Sequence, residues 1–296
     1  MTTKNKQRRK TNNDKESTAL TTFMNHWKLT LSYDGTPFHG WQVQPGLATV
    51  QGSLAGALQR VTGERVLPQG SGRTDAGVHA LAQVASFALE SHVPAANLLR
   101  ALNHALPPSI RVLTAEQVDP SFHARHSARR KTYEYRLFER RACEGEGGVA
   151  GERICPPFLA PYAWDCRWTL EFESMQEAAR LLRGTHDFSS FAASDPERGV
   201  REEETAEGPN PVKTLLLSEW VRRDDLLVYR VTGSGFLHHM VRNIVGTLVD
   251  IGRGSLQVDD IPRILAARDR SAAGPTAPAC GLFLQSVEYD SMPPAD

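Results

Sequence analysis

The chain lacks several features that would decide its class at once. It holds only 4 cysteines in 296 residues, Cys143, Cys155, Cys166 and Cys280, and no two form a CxxC pair. That spacing suggests neither a zinc knuckle nor a disulfide framework, and the four read as ordinary reduced thiols. No HExxH is present, and His238 and His239, adjacent and about 100° apart if helical, are not expected to share a metal. No run approaches the ~18 apolar residues that span a bilayer, and residues 1–26 lack the apolar stretch of a secretory signal. A cytoplasmic protein with no membrane partner is the expectation. An excess of one charge is missing too: 34 basic residues balance 34 acidic ones, which argues against a wholly basic nucleic-acid binder.

The charges are nevertheless unevenly placed. A basic cluster, Arg125, Arg129, Arg130, Lys131 and Arg136, faces only Glu134 within residues 124–136, whereas acids gather in "EGEGG" and "REEETAEG". Most charge runs are solvated surface, so this pattern permits an RNA partner without requiring one.

Hydrophobic periodicity divides the rest. Residues 1–25 are polar and read as a disordered tail, and 291–296 as a second one. "WKLTLSY" alternates as a half-buried strand does. Val50, Leu54, Leu58 and Val61 keep helical spacing, with Thr49 as N-cap and Gly63 as terminator. A strand near 82–88, a helix near 95–105 and a strand near 110–117 complete an N-terminal half, 26–122. The C-terminal half, 123–290, opens with the one-faced strand "TYEYRLF". It continues with a helix capped by Ser174 and Glu177 and closed by Gly184, then strands near 214–221 and 226–232. "GFLHHMVRNIVGTLVDIG" reads as one amphipathic helix from Leu237 onward, its polar face carrying His239, Arg242, Asn243 and Gly246. Strands and helices that do not alternate regularly favour α+β over a doubly wound sheet. The stretches 140–165 and 194–211, rich in Gly, Pro and charge, read as surface insertions.

Chemistry concentrates in "GRTDAGVHA". In an extended segment Arg73 and Asp75 share a face and can pair, which would fix an ionised carboxylate as nucleophile or base between two permissive glycines, Gly72 and Gly77. A surface turn with an ion pair worth under ~1 kcal/mol is the plainer alternative. Tyr133 is either a core tyrosine or an aromatic face for an unstacked base. His186 and Asp187 of "GTHDFSSF" read as loop anchors. The stripe His239, Arg242, Asn243 offers donors suited to phosphates.

In combination, "YDGTPFHGWQ", "GRTDAGVHA", "FHARHSA" with "KTYEYR", "GTHDFSSF", "GFLHHMVRNIVGTL" and "AGPTAPACGLFL" resemble, in order and spacing, the tRNA pseudouridine synthase A family from about Trp27 to Tyr289. The resemblance implies a pseudouridine synthase fold, two α+β halves with antiparallel sheets around an RNA-binding cleft. It also implies a homodimer that isomerises uridine to pseudouridine at positions 38 to 40 of the tRNA anticodon stem-loop without cofactor or metal. It places the catalytic aspartate on Asp75, the loop arginine on Arg73 and the active-site tyrosine on Tyr133. Lys213 with Thr214 stands where that family usually has Arg-Thr. RNA contacts are then expected from Arg125, Arg129, Arg130, Lys131, His239, Arg242 and Asn243. Two other classes compete: a non-catalytic RNA-binding module, and a nucleoside or glycoside hydrolase in which Asp34 or Asp187 would partner Asp75.

Overall fold

The computed structural model describes residues 24–140, 142–143, 151–194 and 210–290. The N-terminal half supplies β1 (Asn25–Tyr33), α1 (Val50–Thr62), β2 (Gln69–Gly70), β3 (His79–Leu89), α2 (Ala95–Ala105) and β4 (Ile110–Gln117). The C-terminal half supplies β5 (Ala128–Glu139), a separate ladder of β6 (Ala142–Cys143) with β7 (Gly151–Glu152), and β8 (Trp164–Cys166). Then follow α3 (Phe172–Leu181), β9 (Gly184–Asp187), β10 (Val212–Arg223), β11 (Leu226–Gly233), α4 (Met240–Gly252), α5 (Asp260–Ala267) and β12 (Leu282–Tyr289). The α+β class is as expected, with the two halves sharing a single sheet in the order β4-β1-β3-β12-β5-β11-β10-β9. β2 hangs on β3 and β8 on β5.

The last strand makes the join. β12 lies antiparallel to β5, with Leu284 opposite Tyr133, and parallel to β3, with Phe283 opposite His79 and Leu284 opposite Ala80. One hydrophobic core accordingly runs under both halves, from Trp27, Leu29 and Leu31 on β1 to Ile244, Val245 and Leu248 on α4. Burial on this scale, at about 25 cal/mol per Å² of apolar surface, is what holds a mixed sheet of distant segments together.

Local chemistry explains most boundaries. Thr49 accepts a hydrogen bond from the Gly52 amide and starts α1, and Gly63 ends it at φ 79°, a left-handed conformation that glycine adopts without strain.

Three expectations need correction. The N-cap of α3 is Glu171, which accepts from the Glu173 amide; Ser174 lies inside the helix, and Gly184 begins a strand. The first insertion is not wholly peripheral, because Trp164, Asp165 and Cys166 pair in parallel with Leu137, Phe138 and Glu139. The long helix begins at Met240: His239 sits at φ 58°, so Leu237 to His239 form a bend instead of a helical turn. Most of the second insertion and both tails lie outside the described residues. Among the described residues no helix is long and apolar enough to cross a membrane, and Cys155, Cys166 and Cys280 are free thiols.

Candidate active site

Asp75 is held on a loop whose every turn is tied to neighbouring strands. Ser71 donates its amide to Val84 and its hydroxyl to Gln83, and the Gln83 amide returns a bond of 2.9 Å to the Gly72 carbonyl. Thr74 is pinned through its hydroxyl to Tyr33 at 2.8 Å and through its carbonyl to the Trp41 amide at 3.0 Å. The "YDGTPFHGWQ" segment lies directly on this loop: a Cβ on Gly35 would stand 2.1 Å from the Val78 carbonyl oxygen, so no larger residue fits. His79 completes the clasp by accepting the Gly35 amide at Nδ1, 3.0 Å away, and its ring, kept neutral-leaning by burial, stacks on Phe283. These bonds leave the Asp75 side chain 20% exposed and aimed at the bend before α4.

Among the described residues, an arginine and two histidines meet the carboxylate. Arg242 Nη1 donates to Asp75 Oδ2 at 2.9 Å, His239 Nε2 lies 3.3 Å from Oδ2, and His238 Nε2 lies 3.7 Å from Oδ1. The Arg73 side chain is exposed on the loop, so the guanidinium seated on the carboxylate is Arg242, 167 residues away in sequence. Arg242 is itself held: its Nε donates to the Ala277 carbonyl at 2.8 Å, and the Ala277 amide donates to the Arg242 carbonyl. Here the role of "AGPTAPACG" becomes visible. It runs so close to α4 that a Cβ on Gly246 would lie 1.7 Å from the Pro275 carbonyl oxygen.

His238 and His239 are drawn together by the left-handed backbone at His239, their ring centroids 3.9 Å apart with the planes tilted by 31°. The premise that they diverge on a helix therefore fails. The pair carried no sequence signal beyond the doublet itself, because its convergence depends on one residue's φ. Burial holds the His239 imidazole below its ordinary value, against the pull of Asp75. Asn243 needs a further correction as an RNA contact. It is fully buried, donates to the Phe191 carbonyl at 2.7 Å and accepts from Arg270 and Thr276, so it is a structural node of α4.

Tyr133 lies on the face of β5 that looks toward this carboxylate. Its ring is 8% exposed and meets Phe236 edge-on at 5.0 Å; burial first, then the charges of Tyr33 and Asp75, push its hydroxyl far above the ordinary phenol value. Lys131 shares that face, two residues earlier, and donates from Nζ to the Ser71 carbonyl of the loop. It is no simple surface cation: burial, with Arg125 and Lys213 nearby, lowers it to about 8. Arg125 is exposed. Arg129 is exposed and paired with Asp290, and Arg130, on the opposite face of the strand, lies 3.8 Å from Glu288. The carboxylates that a hydrolase would need have other work. Asp34 is bound by Thr36, Tyr162 and His79, while Asp187 anchors its loop through Ser189 and pairs with Arg268.

A family model described as tRNA pseudouridine synthase matches residues 30–127 and 178–290. The chain belongs to that family. Among curated relatives, the tRNA pseudouridine synthase A of Solibacter usitatus is 48% identical over 267 residues, covering 90% of this chain and all of that protein. The enzymes of the same name from Moorella thermoacetica and a Geobacillus species are 44% and 40% identical, over 88% and 89% of this chain and 98% of each relative. The first matched segment holds Asp75 and the second holds His238, His239 and Arg242, while Tyr133 falls between the two.

Proposed function

We propose that this tRNA pseudouridine synthase family member, an isomerase acting on uridine in tRNA, works at positions 38 to 40 of the anticodon stem-loop with Asp75 as its reacting carboxylate. The observation that carries the reading is the Asp75–Arg242 contact inside a ring of imidazoles and aromatics, assembled from two distant motifs. Isomerisation breaks the bond from uracil N1 to C1′, turns the freed base while it is held, and forms a bond from C5 to C1′. The C5 proton leaves and N1 gains one, so no oxidant or cofactor is consumed. A single carboxylate suffices, either adding to C1′ or C6 or removing the 2′ proton.

Arg242 orients Asp75 through their charge-assisted hydrogen bond. Arg73, exposed on the same loop, occupies the space that an extruded uridine leaves in the stem, since a stacked base cannot be reached where it lies. Tyr133 borders the uracil as an aromatic face; because burial keeps its hydroxyl protonated, it can relay the C5 proton only by giving up its own O–H proton as it receives that one. The reaction requires that water, which would otherwise capture the sugar, be kept from the freed C1′. Arg125, Arg129, Lys131 and His239 support backbone phosphates, and a cytoplasmic homodimer presents two such clefts.

The test uses tRNA labelled at the uridine C5 hydrogen. The unmodified protein releases label and Asp75→Asn binds the RNA without release; undiminished release by that variant would end the assignment. Free uracil among the products would instead favour a hydrolase.

A further inference from the structure

The three side chains around Asp75 Oδ1 and Oδ2 raise a question that the isomerisation does not answer: why two imidazole nitrogens point at one carboxylate that already has an arginine. His238 Nδ1 lies 3.1 Å from the Ser194 carbonyl, which can only accept, so Nδ1 carries the hydrogen. In the neutral ring Nε2 is then a bare lone pair, facing Asp75 Oδ1 at 3.7 Å. A proton or a metal ion between that nitrogen and the carboxylate makes the approach favourable, and a metal ion can use both imidazoles at once. His239 adds a second Nε2 at 3.3 Å from the carboxylate. The left-handed φ of 58° at a residue other than glycine is strain that the surroundings must offset, and its effect is to set both imidazoles on one side.

We propose that Asp75, His238 and His239 form a binding site for a divalent transition ion such as Zn²⁺, which occupies the RNA-free protein and blocks the carboxylate until RNA displaces it. One ligand atom from each residue lies within 4.8 Å of the other two. A tetrahedral zinc with bonds of ~2.0–2.1 Å has its ligands about 3.3 Å apart, so small side-chain adjustments close the triangle. A backbone carbonyl on the remote nitrogen is the usual way a liganding imidazole is oriented, and Ser194 supplies it to His238. Two imidazoles and one carboxylate suit zinc or cobalt and discriminate against magnesium, which wants oxygen ligands. Arg242, seated on Oδ2, opposes the incoming charge and keeps the ion exchangeable instead of permanent. Ion binding stands apart from the proposed chemistry; only its inhibitory effect rests on Asp75 being the reacting group.

The full-length protein, stripped with a chelator and titrated with Co²⁺, is expected to show the strong visible absorption of a tetrahedral cobalt site, saturating at one equivalent and abolished by Zn²⁺. His238→Gln and His239→Gln should each weaken Co²⁺ binding about tenfold or more. Circular dichroism confirms that the variants are folded. In unmodified protein, tRNA substrate should expel Co²⁺, and Zn²⁺ should raise KM for tRNA while leaving kcat unchanged. Absence of saturable absorption, or equal affinity in His238→Gln, would overturn the site. Expulsion without inhibition would keep the site and refute the role of Asp75 in the reaction.

Discussion

Two carboxylates on opposite faces of the sheet are each bound by arginine, and they do different work. Glu134, on β5 beside Tyr133, is 4% exposed and closed on all sides: Arg136 Nε donates to it at 3.0 Å and Arg223 Nη1 reaches both oxygens at 3.2 Å. Asp75 is 20% exposed, and its second oxygen lies 3.7 Å from His238 Nε2, beyond hydrogen-bond distance. A carboxylate whose acceptors are all filled by guanidinium can only hold the fold together, whereas one left partly open can react or take a ligand. Both arginine partners of Glu134 lie on the strand itself or two strands away, while Arg242 comes from a helix tied down by a separate loop. The open pair is thus the one that tertiary structure had to build.

Substitution should separate the two most sharply. Asp75→Asn is expected to lower turnover roughly 10⁴-fold or more, the scale on which loss of a reacting group is felt, with little change in Tm. Glu134→Gln should do the reverse, lowering stability by roughly 2–3 kcal/mol, less than a fully buried pair would because Arg223 is half-exposed, with kcat preserved. If Glu134→Gln abolished turnover at unchanged Tm, the division between a structural and a reacting carboxylate would fail.

Lys131 sharpens the comparison from the cationic side. With its folded-state value lowered to about 8 against an ordinary 10.5, the unfolded chain binds the proton between these values and the folded chain does not. Stability contributed by this group therefore rises with pH from about 8 to 10, at most ~1.4 kcal/mol per unit, above which the buried tyrosines reverse the trend. Lys131→Met should flatten that rise in urea melts taken across the window. At the small end, Arg129→Ala breaks a fully exposed pair with Asp290 and should leave Tm almost unchanged. Its effect belongs in the salt dependence of tRNA binding, where the log–log slope should shrink by about one.

Much of this was legible in the chain. The alternation in "WKLTLSY" and "TYEYRLF", the Thr49 cap and the Gly63 stop describe interactions between residues close in sequence, and those elements stand where expected. The start of α4 was not, because Leu237 and His239 fit a helical stripe equally well and only packing imposes the left-handed turn at His239. Asn243 looked like a surface donor on the same grounds and is buried because Phe191, Arg270 and Thr276 close over it. A polar residue's face on a helix is legible from periodicity; whether another segment covers that face is not.

Alone, the sequence determined the family and the α+β class and singled out the "GRTDAGVHA" loop with Asp75, since these reside in local pattern and in motif order. Tertiary structure alone decided which guanidinium serves that carboxylate. Arg73 is two residues away and Arg242 is 167, yet a loop tied to β3 and Tyr33 turns the acid toward α4, and the Ala277 backbone clamps Arg242 beneath it. Charge pairing follows distance in space, and long-range packing sets that distance.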